Sequence, residues 1–150
     1  MTAPSFRLMP IDPEVAQSLR EHAEVVQVAD AKPGYPCREC LKDAEIGDEL
    51  VLVSYDPFAT DSPYRGSSAI YLHRIPCEPW RDDGAVPQQQ LGRRLSFRSF
   101  ASDEMMIDAE LVEGATFIDA ASRMLQNNLV EFINVHNASP GCWALRVERN

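Results

Sequence analysis

The chain has 150 residues, 45% hydrophobic and 25% charged, which is the mixture of an ordinary globular domain able to bury a core without a covalent staple. A net charge of −9 and a pI near 4.7 argue against a nucleic-acid partner, because phosphate binding draws on clustered Lys and Arg, and against an anionic membrane surface for the same reason. Met1 to Arg7 holds no apolar run of signal-peptide length and no stretch approaches the length of a spanning helix, so a cytoplasmic location is expected.

In chain order, Ser5 to Met9 reads as a short strand. Asp12 and Pro13 then open a helix, Asp as N-cap and Pro at the first helical position, with Val15, Ala16, Leu19 and Ala23 as its apolar stripe. Glu24 to Ala29 is β-branched and reads as a strand. A loop crowded with proline, cysteine and arginine follows, from Ala29 to Leu41. Glu49 to Tyr55 is apolar on both alternating faces, which places it centrally in a sheet, and Ala69 to His73 is a further β-like run. Ile75 to Leu91 carries the fewest signals of regular structure.

Pattern alone registers two hairpins. Leu95 opposite Leu111, Phe97 opposite Ala109 and Ser99 opposite Ile107 keep apolar residues on one face, and set Arg98 against Asp108 and Ser96 against Glu110 on the other. Gly114 ends the second strand, and Thr116 with Asp119 resembles a capping box. Phe117, Ala120, Ala121, Met124 and Leu125 form one face of an amphipathic helix. At the C-terminus, Val135 opposite Trp143 and Ile133 opposite Leu145 put His136 directly across from Cys142. About six to eight strands with two amphipathic helices, not alternating, predict a single α+β domain over residues 1–150 with a mostly antiparallel sheet.

In a cytoplasmic chain the four cysteines, Cys37, Cys40, Cys77 and Cys142, are expected to be thiols, redox groups or metal ligands. Cys37-Arg38-Glu39-Cys40 has the spacing of a redox dithiol, but prolines precede it and no helix of sufficient length follows. Cys40, His73, Cys77 and Cys142, with His136 as a substitute, could supply a tetrahedral zinc site, but a second Cys-x-x-Cys is missing, and the expectation is no cofactor, with zinc the alternative. Cys142 facing His136 beside Asn137 has the members of a thiol hydrolase. Arg38 and Arg65, with Tyr64 close in sequence to the second, suit a carboxylate or phosphate.

Pro36-Cys37-Arg38-Glu39-Cys40-Leu41, then Asp43-Ala44, Ser62-Pro63-Tyr64-Arg65, His73 with Pro76-Cys77, and Asn137 with Gly141-Cys142 resemble the landmarks of a bacterial family described as domain of unknown function 1203. On this resemblance the family form of the first motif is Pro-x-Arg-x-Cys-Leu, matched by Arg38 and Cys40, while Cys37 lies outside that form and His136 falls where it implies no fixed histidine. The resemblance brings no activity with it. It implies that Arg38, Cys40, Tyr64, Arg65, His73, Cys77, Asn137 and Cys142 belong to one constellation.

The leading expectation is a small-anion-binding or protein-interaction module using Arg38, Tyr64 and Arg65. The alternative is a cysteine- or zinc-dependent enzyme using Cys40, Cys142 and a histidine, His73 or His136, with Asn137.

Overall fold

The computed structural model describes residues 5–150; the N-terminal reading of Met1 to Pro4 lies outside them. Among the described residues the fold is α+β, with eight strands in two antiparallel sheets and three helices. The five-stranded sheet is built from β1 (Phe6–Met9), β5 (Arg94–Phe100), β6 (Met106–Glu113), β7 (Phe132–Asn137) and β8 (Trp143–Arg149), in the order β1-β8-β7-β5-β6. The three-stranded sheet has β3 (Glu49–Tyr55) between β2 (Val25–Val28) and β4 (Ser68–His73), the central place its two-sided apolar pattern requires. Among the described residues, no helix is long and apolar enough to cross a membrane.

Helix α1 (Pro13–Glu21) starts as its sequence dictates. The Asp12 carboxylate accepts from the N–H groups of Glu14 and Val15, and Pro13 supplies no N–H to be left over. Of the anticipated stripe Ala16 is buried and Leu19 and Ala23 pack against the core, but Val15 is largely exposed. Helix α2 (Gln88–Leu91) is a single turn inside the segment with the weakest signals. Helix α3 (Phe117–Leu125) buries all five residues of the predicted stripe on the five-stranded sheet, against Leu95, Phe97, Ile133 and Val135. Full burial of Phe117, Met124 and Leu125 contributes roughly 1.5–3 kcal/mol each. Its start differs from expectation: a 3-10 turn at Gly114–Thr116 precedes it, and the Thr116 hydroxyl donates to the Glu113 carbonyl rather than accepting from the helix.

Both hairpin registers correct the sequence reading. Leu95 pairs with Val112, Phe97 with Glu110 and Arg98 with Ala109, so the expected Arg98–Asp108 and Ser96–Glu110 pairs do not form. The charges pair as Arg94 with Glu113 and Arg123 with Glu110. In the C-terminal hairpin Val135 pairs with Leu145 and His136 with Trp143, separated by an irregularity between Val135 and His136. A one-residue slip moves a strand's side chains to its other face. In the C-terminal hairpin Val135 is two residues off the expected partner and His136 one, which puts Trp143 rather than Cys142 opposite His136.

The two sheets meet at Trp143. Its backbone N–H donates to the Ser68 hydroxyl at 3.0 Å, its indole N–H to Asn134 at 3.2 Å, and its ring packs edge-on to Tyr55. It belongs to the core formed by Ile11, Ala16, Cys37, Cys40, Val51, Ile70 and Leu72. That core carries the site.

Candidate metal centre and the adjoining cavity

The loop after β2 cannot join either sheet as a strand, because its prolines remove donors and fix φ. It folds instead into a tight turn. The turn is closed by a Pro36–Asp43 bridge and by Cys37 N–H to Lys42 O at 3.1 Å and Leu41 N–H to Cys37 O at 3.1 Å. Leu41 takes the left-handed conformation, φ 57°, that lets the chain reverse. Arg38 N–H to Tyr71 O at 3.0 Å docks the turn on β4, the strand that ends at His73. Cys77 lies four residues on, in the segment after β4.

This docking gathers Cys37, Cys40, His73 and Cys77. Their ligand atoms all lie within 4.8 Å of one another. The Cys37 and Cys77 sulfurs are 3.7 Å apart, and the Cys40 sulfur is 3.7 Å from His73 Nδ1. A tetrahedral zinc with Zn–S bonds of about 2.3 Å requires ligand atoms about 3.7 Å apart. Those two edges of the tetrahedron are therefore already at length.

The surroundings fit the same use. His73 Nε2 is 3.3 Å from an Asp48 carboxylate oxygen, so the carboxylate orients the ring with Nδ1 toward the sulfurs. The His73 backbone N–H donates to Cys37 Sγ at 3.4 Å, and Arg20 Nη2 approaches Cys77 Sγ at 3.8 Å. Arg20 is itself paired with buried Glu39 at 2.5 Å. Three thiolates and an imidazole on a zinc dication would carry net negative charge, which these donors would offset.

The four groups compete for protons. The Cys40 and Cys77 thiols, donating to the Cys37 sulfur, push it strongly below the usual thiol range. Sharing that sulfur pushes Cys40 up to about 11 and Cys77 further still, and the same contacts raise His73 to about 10. A metal ion bound here would displace these protons, so its affinity would fall on acidification.

Arg38, between the two cysteines, points away from the cluster. Its side chain is buried in the floor of a cavity of about 700 Å³ lined by Pro36, Ser68, Tyr71, Arg93, Asn137 and Cys142 among others. Nη1 donates to Gln89 Oε1 at 3.0 Å, Nη2 to Cys142 Sγ at 3.4 Å, and Nε has no partner. Asn137 Nδ2 also donates to Cys142 Sγ, at 3.3 Å, while its Oδ1 is buried without a partner.

The predicted site residues therefore separate. Cys40, His73 and Cys77 come together, and Cys37 stands where the sequence reading placed Cys142. Cys142 joins Arg38 and Asn137 in the cavity instead. His136 turns to the Gly141 carbonyl at 2.9 Å and gives Cys142 no hydrogen bond; burial pushes its pKa down to about 4. Tyr64 packs edge-on to Phe100, and Arg65 pairs with Asp61 in solvent, so neither lines the cavity of Arg38. Sequence reasoning missed Cys37 as a ligand candidate and Arg93 and Gln89 around Arg38. Cys-x-x-Cys with His-x-x-x-Cys was itself a complete four-ligand signal.

The family model described as "Protein of unknown function (DUF1203)" matches residues 34–149, and the chain belongs to that family. No curated protein and no solved structure was found to match it.

Proposed function

We propose that the protein is a zinc-binding domain whose metal is structural, and that its work is to bind a ligand rather than to turn one over at the metal. One observation carries the reading: Cys37, Cys40, His73 and Cys77 bring four ligand atoms within 4.8 Å of one another. Three sulfurs and an imidazole nitrogen fill a tetrahedron, and structural zinc sites are closed in this way, whereas catalytic ones keep a position for water or substrate. The burial of Cys37 and Cys40 and the Asp48 contact on the ligand histidine support the same choice. The metal would pin the turn of residues 37–40 to the end of β4 and so fix Arg38 from the backbone.

Protein purified without chelator is expected to hold about one zinc per chain by elemental analysis. Exchange for cobalt(II) should give the visible absorption of a tetrahedral thiolate site, and Cys37→Ser and Cys77→Ser should lose both signals. A chain that holds no zinc, is not stabilised by added zinc and exposes Cys37, Cys40 and Cys77 to alkylation in the native state would overturn the reading.

A further inference from the structure

A guanidinium keeps its proton throughout the ordinary pH range, so Arg38 brings a full positive charge into the interior. It makes no ion pair among the described residues: Gln89 and Cys142 are its side-chain partners, and Nε is left over. An isolated buried charge is expensive, and proteins pair it or place it where a ligand will. No aspartate or glutamate lines the cavity above it. Arg93, at the same cavity, adds a second cation whose Nη2 is bound to Asp43 at 3.0 Å. Asn137 contributes an amide that holds the Cys142 sulfur from the other side. With the charge of Arg93 met by Asp43, Arg38 is the cation at this cavity without a carboxylate partner among the described residues.

We infer that this cavity is a binding site for a small oxyanion, carboxylate or phosphate, held by Arg38 with Arg93 beside it and with the Cys142 sulfur at the floor. The oxyanion supplies the counter-charge that the burial of Arg38 demands, and a guanidinium presents the planar fork that both groups fit. Sulfur is a weak acceptor, and at 3.3–3.4 Å it holds the Arg38 and Asn137 donors in place without saturating them. The assignment deepens the ligand-binding half of the proposed function, but its test does not depend on zinc.

The probe is the alkylation of Cys142 by iodoacetate, which carries a carboxylate, compared with iodoacetamide, which does not. In either reaction the Cys142 sulfur forms a bond to the CH₂ carbon and iodide leaves with the electrons of the C–I bond. Rates are read on the Cys142 peptide by mass spectrometry, with glutathione as the reference thiol. The iodoacetate-to-iodoacetamide ratio at Cys142 is expected about 10-fold above that of glutathione, as a cleft of one charge concentrates its counter-ion. Arg38→Met should return it to the glutathione value, and Arg93→Gln, at a less buried position, should lower it if the first variant does not fold. Acetate and inorganic phosphate, titrated separately, should slow the iodoacetate reaction, and the anion acting at the lower concentration identifies the better-matched class. A ratio equal to that of glutathione, no reaction of Cys142 with either reagent, a ratio unchanged in the folded variant, or no protection by either anion overturns the inference. Zinc content is measured on the same sample, so loss of the metal reading and loss of this one are seen separately.

Discussion

Two arginine side chains are buried at the Cys37–Cys40 turn, Arg20 beside it and Arg38 within it, and the molecule treats them in opposite ways. Arg20, on the metal side, meets Glu39 at 2.5 Å, with the two side chains only 6% and 4% exposed. Arg38, on the cavity side, has a sulfur and an amide oxygen for partners and no carboxylate. The first arrangement is self-contained: its charge is balanced within the fold, and it buttresses Cys77 and Glu39. The second is balanced only when something else arrives. Burial alone does not mark a functional arginine; burial without a counter-charge at the floor of a cavity does.

The comparison can be broken from the metal side first. Cys77→Ser removes a ligand, and the loss of metal should lower the melting temperature by about 10 °C or more in calorimetry, given the large share of folding free energy that structural zinc carries. An unchanged melting temperature would take the metal out of the account. Glu39→Gln is next: it strands the Arg20 charge and should cost about 3–5 kcal/mol in urea unfolding.

His136 sharpens the cavity side through pH. Burial lowers its pKa to about 4, against the Gly141 carbonyl and with help from the charges of Arg98 and Arg38. A folded value below the ordinary 6.5 means the neutral ring favours folding. That contribution is full above pH 6.5 and is lost as pH falls toward 4. Wild type should therefore lose on the order of 3 kcal/mol relative to His136→Gln across this window, measured as the difference between their unfolding curves.

Smaller effects come last. Asp48→Asn weakens the orientation of His73 and should reduce zinc affinity about 10-fold in a chelator competition. Arg38→Met should stay within about 1 kcal/mol of wild type, because a buried charge without a partner can be replaced by a hydrophobe of similar volume at little cost. If it proves as damaging as Glu39→Gln, the contrast between the two arginines fails.

The α+β class, the Asp12–Pro13 helix start, the central place of β3 and the buried face of α3 were legible because each is set by neighbours along the chain. Strand register was not. The irregularities at Ser99/Phe100 and Val135/His136 are tertiary adjustments, and β6, an edge strand, leaves Leu111 67% exposed, so its apolar pattern pointed to the wrong face. Of the candidate site, the residue types were readable but the grouping was not: Cys37 and Cys142 are both cysteines beside turns, and only the docking of the loop on Tyr71 decides which joins His73. The unbalanced charge of Arg38 could not be read at all, since it depends on what every other element fails to place nearby.

Gly114 lies at the far end of β6 from the turn that joins it to β5, and a Cβ there would stand 1.8 Å from the Gln90 carbonyl oxygen. That carbonyl belongs to the single helical turn whose Gln89 holds Arg38 Nη1. A methyl group added at this distant position would shove the turn aside and pull the guanidinium out of alignment. In a mutational survey it would register as a loss of ligand affinity at a residue that touches no ligand, and a map drawn from contacts alone would never have flagged it.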